Sequence, residues 1–133
     1  MTSVDLNFIA ILAAAASGMI FGTVWYSMPV FGEKWMQALG KTPKTLGDPT
    51  LPMTASVVNC LLTALGVALL HSLIGISSLS DALLLGLLLG GLIVFPAMLS
   101  DNLFCGWGRS LLLIQAGYRL LSLLIMSVII YLL

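Results

Sequence analysis

An all-α membrane protein is predicted, with four transmembrane helices and a short interfacial amphipathic helix between the first and second. Three observations predict it. The 133 residues are 60% hydrophobic and only 8% charged, far outside the soluble range. The chain also holds four apolar runs, each about as long as the roughly 20 helical residues that cross a hydrocarbon core. Finally, the segments between those runs carry the prolines, turn residues and most of the charges, so each run is bounded as a separate helix within one domain.

The first span is expected over residues 6–27, an uncharged stretch in which Ala14, Gly18 and Gly22 recur every fourth residue and leave one face flat enough for close helix contact. Trp25 and Tyr26 close it as interfacial anchors, and Pro29 forbids simple continuation. Over residues 30–39, Phe31, Trp35, Met36 and Leu39 fall on one side of a helical wheel, with Glu33, Lys34 and Gln37 on the other. That pattern suits a short helix lying on the bilayer surface, stopped by Gly40. Lys41 to Pro52, with three prolines and three charges, is a polar connection.

The second span is expected over residues 53–75, with Thr50 as N-cap, Pro52 in the opening turn and Asn59, Thr63 and His71 as its strongly polar members. After a tight turn, Ser78-Leu79-Ser80-Asp81 reads as a capping box opening the third span, residues 79–100. That span repeats the small-residue device as Ala82, Gly86 and Gly90, and Pro96 should kink it. Residues 101–108 re-emerge, and a last span over residues 109–133 contains Gln115, Tyr118, Arg119 and Ser122.

Two groups of residues carry a family resemblance. Gly22-x-x-Trp25-Tyr26-Ser27 is followed by Phe31-Gly32-x-Lys34-Trp35-Met36, and the last span holds Ile114-Gln115-Ala116-Gly117-Tyr118 with Met126. Together they resemble the signature of domain-of-unknown-function family 1761, small integral membrane proteins. The resemblance implies a four-helix polytopic fold without a known activity, and brings no catalytic residue with it.

Composition excludes several function classes. A formal net charge of zero with five Lys plus Arg offers no surface for tracking phosphates, so nucleic acid is not an expected partner. Asp5 is the only charged side chain before the first apolar run, which is span-length, so no cleavable signal is expected. Cys60 and Cys105 lack metal-ligand spacing and are expected as free thiols, and no metal or cofactor is expected. His71 is the sole histidine and should sit near an interface beside Asp81, solvated and remote from either cysteine. No nucleophile with its base, paired carboxylates or metal cluster can be assembled, so an enzyme ranks last among the readings.

The informative polar residues lie deeper. If Met53 and Arg109 mark one interface, Asn59 and Gln115 both lie roughly 9 Å in, and Thr63 and Arg119 roughly 15 Å in. A polar intramembrane face of Asn59, Thr63, Gln115, Tyr118, Arg119 and Ser122 is therefore expected between the second and last spans. Interhelical hydrogen bonding accounts for the neutral members, but a cation near mid-bilayer costs at least about 2.5 kcal/mol on the insertion scale and needs a partner. Arg119 is expected to point into the bundle or a subunit interface and be hydrogen-bonded, with Gln115 and Ser122 as local acceptors and, in addition, a carbonyl freed at the Pro96 kink, Asp101, or a trapped water or anion.

Two stripes of small residues in so small a bundle suggest that one packs internally and the other serves a homo-oligomer. Lys34, Lys41, Lys44 and Arg109, with Trp25, Trp35 and Trp107, fall in or beside the two connections 28–52 and 101–108. Those connections should be cytoplasmic, in a plasma or inner membrane, with both chain ends outward. The functional expectation is an oligomeric binding or transport module in the lipid bilayer that uses the polar face. The alternative is a structural or regulatory protein in which Arg119 ties helices together and nothing crosses.

Overall fold

The computed structural model describes residues 4–133, and every regular element among them is helical. Helix α1 spans Phe8–Trp25, a π-helical turn spans Met28–Gly32 and α2 spans Glu33–Leu39. α3 covers Thr50–Ile74. α4 (Leu79–Leu88), a π-helical stretch (Leu89–Val94) and α5 (Phe95–Cys105) form one continuous third rod, and α6 covers Arg109–Leu132. Four of these, α1, α3, the Leu79–Cys105 rod and α6, are long and apolar enough to cross a membrane.

The helix ends depart from the sequence expectations for identifiable chemical reasons. α1 starts at Phe8, not residue 6, because the Asn7 side chain accepts from the Ile9 and Ala10 backbone N–H groups at 3.1 and 3.2 Å. The amide nitrogen of the same side chain donates to the Leu133 carbonyl at 3.2 Å, joining the start of α1 to the end of α6. Thr50 does not cap α3; it is the first helical residue. Both its backbone N–H and its hydroxyl donate to one Asp48 carboxylate oxygen, at 3.0 and 2.7 Å, and these bonds hold the exposed Asp48 carboxyl below its usual range.

The third rod does not end near residue 100. Pro96 lacks an N–H and its ring crowds the preceding turn, but that turn has widened to π geometry, so the helix runs on through Asp101 to Cys105. Gly106, at φ 69°, stops it. The re-emergent connection therefore shrinks to residues 106–108. Buried Asn102 closes it by donating to the Gly108 carbonyl at 3.0 Å.

α6 is the hub. α1 and α3 pack on it from one side and on each other, whereas the third rod packs on α6 and barely on α3. An ideal Cβ on Gly18 would meet Met126 and Cys60, and one on Gly22 would meet the Tyr118 ring at 3.1–3.3 Å. On the opposite flank, a Cβ on Gly86 would lie 2.9 Å from Leu124 Cα, and one on Gly90 2.9 Å from Leu120 Cα. Ala14 and Ala82 are both fully buried. The expectation that one stripe stays free is thus corrected: α6 is flanked by both, because a central helix needs a flat partner on each side for close van der Waals packing.

His71 is also corrected. Rather than standing in water beside Asp81, it turns inward, with Nε2 2.8 Å from Ser127 Oγ. Fully buried Ser127 donates its single hydroxyl proton to the Ala82 carbonyl at 2.6 Å, so the imidazole Nε2–H must be the donor to Ser127. This chain of bonds links α3, α6 and α4.

Candidate ligand cleft

The aromatic residues after Gly18 build the site. Phe21 stacks on Tyr118 with ring centroids 5.7 Å apart, and Tyr26 meets Tyr118 and Trp35 edge-on at 5.5 and 5.3 Å. Trp25 packs on Phe31 at 4.4 Å, and its Nε1–H donates to the Ile114 carbonyl at 2.9 Å. Tyr118 donates its hydroxyl to the Gly18 carbonyl at 2.9 Å, across the face that Gly22 leaves flat. α2 is held against α6 by buried Met36, while Glu33, Lys34 and Gln37 face outward.

α3 does not follow this cluster along its whole length. Residues 50–59 are all exposed, and its buried face begins at Cys60 and continues through Ala64, Val67 and Ala68. Between the divergent half of α3, the second half of α1, α2 and α6 lies a cleft of about 470 Å³. That is within the range of about 300–1,000 Å³ typical of small-molecule pockets. Met19, Gly22, Pro52 and Met53 supply apolar wall, and Tyr26, Trp35, Ser56, Asn59, Tyr118 and Arg119 supply polar groups.

Arg119 is the one charged side chain on the cleft, whose described lining holds no Asp or Glu. It is exposed, with its guanidinium carbon 5.5 Å from the Tyr118 ring centroid. The side chain faces the cleft between the helices, and of its expected acceptors Asp101 is ruled out as a cleft neighbour, because it sits on α5, which is not one of the cleft walls. The Ser56 hydroxyl is already satisfied by the Pro52 carbonyl at 2.8 Å. The Tyr26 hydroxyl and the Asn59 amide bond to no other described residue, and the Trp35 indole N–H is buried without a partner.

Of the expected polar face, Asn59, Tyr118 and Arg119 come together. Ser122 lies buried beneath them, its hydroxyl 3.5 Å from where a Gly18 Cβ would be. Thr63 and Gln115 are not brought to the cleft. Thr63 donates to the Asn59 carbonyl of its own helix at 2.8 Å instead of crossing to α6. Matching depth was insufficient for Thr63 because depth ignores helical phase: it sits one residue, about 100° of rotation, away from the buried Ala64 position, whereas Asn59 lies at the end of the exposed half of α3 that walls the cleft.

Met19 and Ser56 also line the cleft and carried no sequence signal beyond being apolar or small, and Pro52 and Met53 line it where the sequence marked only the start of the second span. Cys60 and Cys105 are free thiols, buried and exposed respectively. Among the described residues no three His, Cys, Asp or Glu side chains converge as a metal site would require.

The profile of a family described as "Protein of unknown function (DUF1761)" fits residues 9–131. No curated protein and no solved structure matches the chain.

Proposed function

The chain belongs to the DUF1761 family, whose description assigns no activity, and we propose from its own cleft that it is a membrane-embedded, non-enzymatic binding module for a small molecule. The observation that carries this reading is Arg119, a cation about 15 Å along α6 from Arg109 that faces an open cleft with no carboxylate beside it. A charge at such depth is costly, and here no helix contact requires it. The structural alternative gives Arg119 the task of tying helices, a task performed by Tyr118, Trp25, His71 and Ser127.

In the proposed orientation the lysine-bearing connection and the α5–α6 turn face the cytoplasm, both chain ends face outward, and α2 lies at the cytoplasmic interface. The mouth of the cleft at Pro52 and Met53 then opens at the level of the inner leaflet. A reporter active only in the cytoplasm, fused after Leu133, should be silent; strong activity there overturns the orientation. Self-association belongs to the same proposal, and it would use the apolar outer face of α3, where Gly66 meets open space.

Filling the cleft tests the binding reading. Ser56 is exposed on the divergent half of α3, so Ser56→Trp places an indole in the cleft without disturbing the buried face. Native mass spectrometry of gently purified protein should show a small-molecule adduct on the wild type that is largely lost in the variant, at unchanged melting temperature. No adduct on the wild type, or equal adducts on both, overturns the reading.

A further inference from the structure

We infer that the ligand is a single-chain amphiphile with an oxyanion headgroup, a long-chain carboxylate or phosphate monoester, bound headgroup-inward on Arg119. This rests on the binding reading above and names its ligand class. Charge complementarity sets the headgroup: a lone guanidinium with no acidic neighbour in the lining attracts an anion, and its planar fork of donors suits two oxygens of one carboxylate or phosphate. Tyr26 and Asn59 add unengaged neutral donors on the same cleft. The Trp35 indole N–H is a third: it is buried without an acceptor, and an incoming oxygen would give it one once the ring yields.

The tail follows from the remaining wall. Met19, Met53 and Pro52 make an apolar, adaptable surface, and the α3 half that forms one side of the cleft is exposed along its length, with Leu51, Val57 and Val58 uncovered. An acyl chain can therefore lie in the cleft and leave it at the membrane level without crossing a polar barrier. A free small anion would satisfy Arg119 but leave this apolar wall unused. A neutral chain would fill the wall and leave the cation unpaired.

The test uses the full chain in nanodiscs of zwitterionic lipid, with tryptophan quenching by bromine-labelled chains as the readout. The probes are a long-chain carboxylate, a long-chain phosphate monoester and the matching alcohol, with inorganic phosphate as competitor. The acids should bind at least about tenfold more tightly than the alcohol, the effect of a charge-assisted hydrogen bond. Arg119→Gln should bring them down to the alcohol's affinity, and Arg119→Lys should retain part of the difference. Inorganic phosphate should not compete at concentrations comparable to the probe.

Equal binding of acid and alcohol, or acid binding indifferent to Arg119→Gln in a protein of unchanged melting temperature, overturns the headgroup assignment. Competition by inorganic phosphate as effective as by the long-chain monoester overturns the amphiphile. If Ser56→Phe, which fills the cleft without adding a tryptophan, abolishes binding of every probe while charge makes no difference, the cleft reading survives and the ligand class fails. If Ser56→Phe leaves all binding intact, the cleft reading itself fails.

Discussion

Gly90→Ile should separate the third rod from α6, whereas Gly91→Ile, one residue along, should be close to neutral. A Cβ at position 90 would sit 2.9 Å from Leu120 Cα and 2.5 Å from Leu120 Cδ1, and the first of these is backbone that no rotamer change can move. A Cβ at position 91 meets nothing within 4 Å. Overpacking of a tight interior typically costs about 1–3 kcal/mol. Adding Gly86→Ile, whose Cβ would strike Leu124 Cα at 2.9 Å, should raise the loss to roughly 2–6 kcal/mol, a large part of an ordinary domain's stability.

Helical content should survive in both variants, because a spanning helix satisfies its hydrogen bonds within itself even when its neighbour is lost. The expected result is therefore unchanged far-ultraviolet circular dichroism at low temperature, with a sharply lower detergent melting temperature for Gly90→Ile alone and lower still for the double variant. Melting of Gly90→Ile indistinguishable from that of Gly91→Ile would refute the assignment of this stripe to the α6 interface.

The second large effect is expected at Gly32, in the π-helical turn that joins α1 to α2. Its N–H donates to the Ser27 carbonyl at 2.9 Å, and a Cβ there would collide with the Tyr26 carbonyl oxygen and lie 2.9 Å from the Ser27 carbonyl carbon. Every close neighbour is backbone, so Gly32→Ala must open the turn. The cost should be about 2 kcal/mol or more, and it should fall on α2, which carries Trp35 to the cleft. Hydrogen exchange of the amides of α2 should quicken at least tenfold in Gly32→Ala, with α4 and α5 unaffected. Gly40→Ala, at a left-handed position with φ 69° and open surroundings, should cost only the backbone strain of about 1–2 kcal/mol and leave the turn closed. Unchanged exchange in α2 of Gly32→Ala would show that the turn does not depend on this glycine.

The two glycines differ in how readable they were. Gly32 belongs to the motif that carries the family resemblance, yet no periodicity distinguishes it from the glycines that simply end helices. Its collision with Tyr26 exists only once the π turn brings its Cα against the Tyr26 and Ser27 backbone. Gly86 and Gly90 were legible as a packing face because small residues at every fourth position are a local property of one helix. Which helix would use that face was not legible, since α1 and the third rod offer equivalent stripes and only the central position of α6 assigns both to it.

The number of spans, the breaks at Pro29 and residues 41–52, and the presence of a cation deep in the last helix follow from the chain alone. Each depends on hydropathy and steric rules that act within a few neighbouring residues. Whether Arg119 is enclosed or faces a cleft depends instead on the rotational phase and divergence of α3 against α6, set by the bulk of Tyr26, Trp35 and Tyr118 on one side and the small Cys60 and Ala64 on the other. Those side chains are distant in sequence and meet only through packing, so the cleft and the orientation of its guanidinium are properties of the assembled helices and not of any one of them.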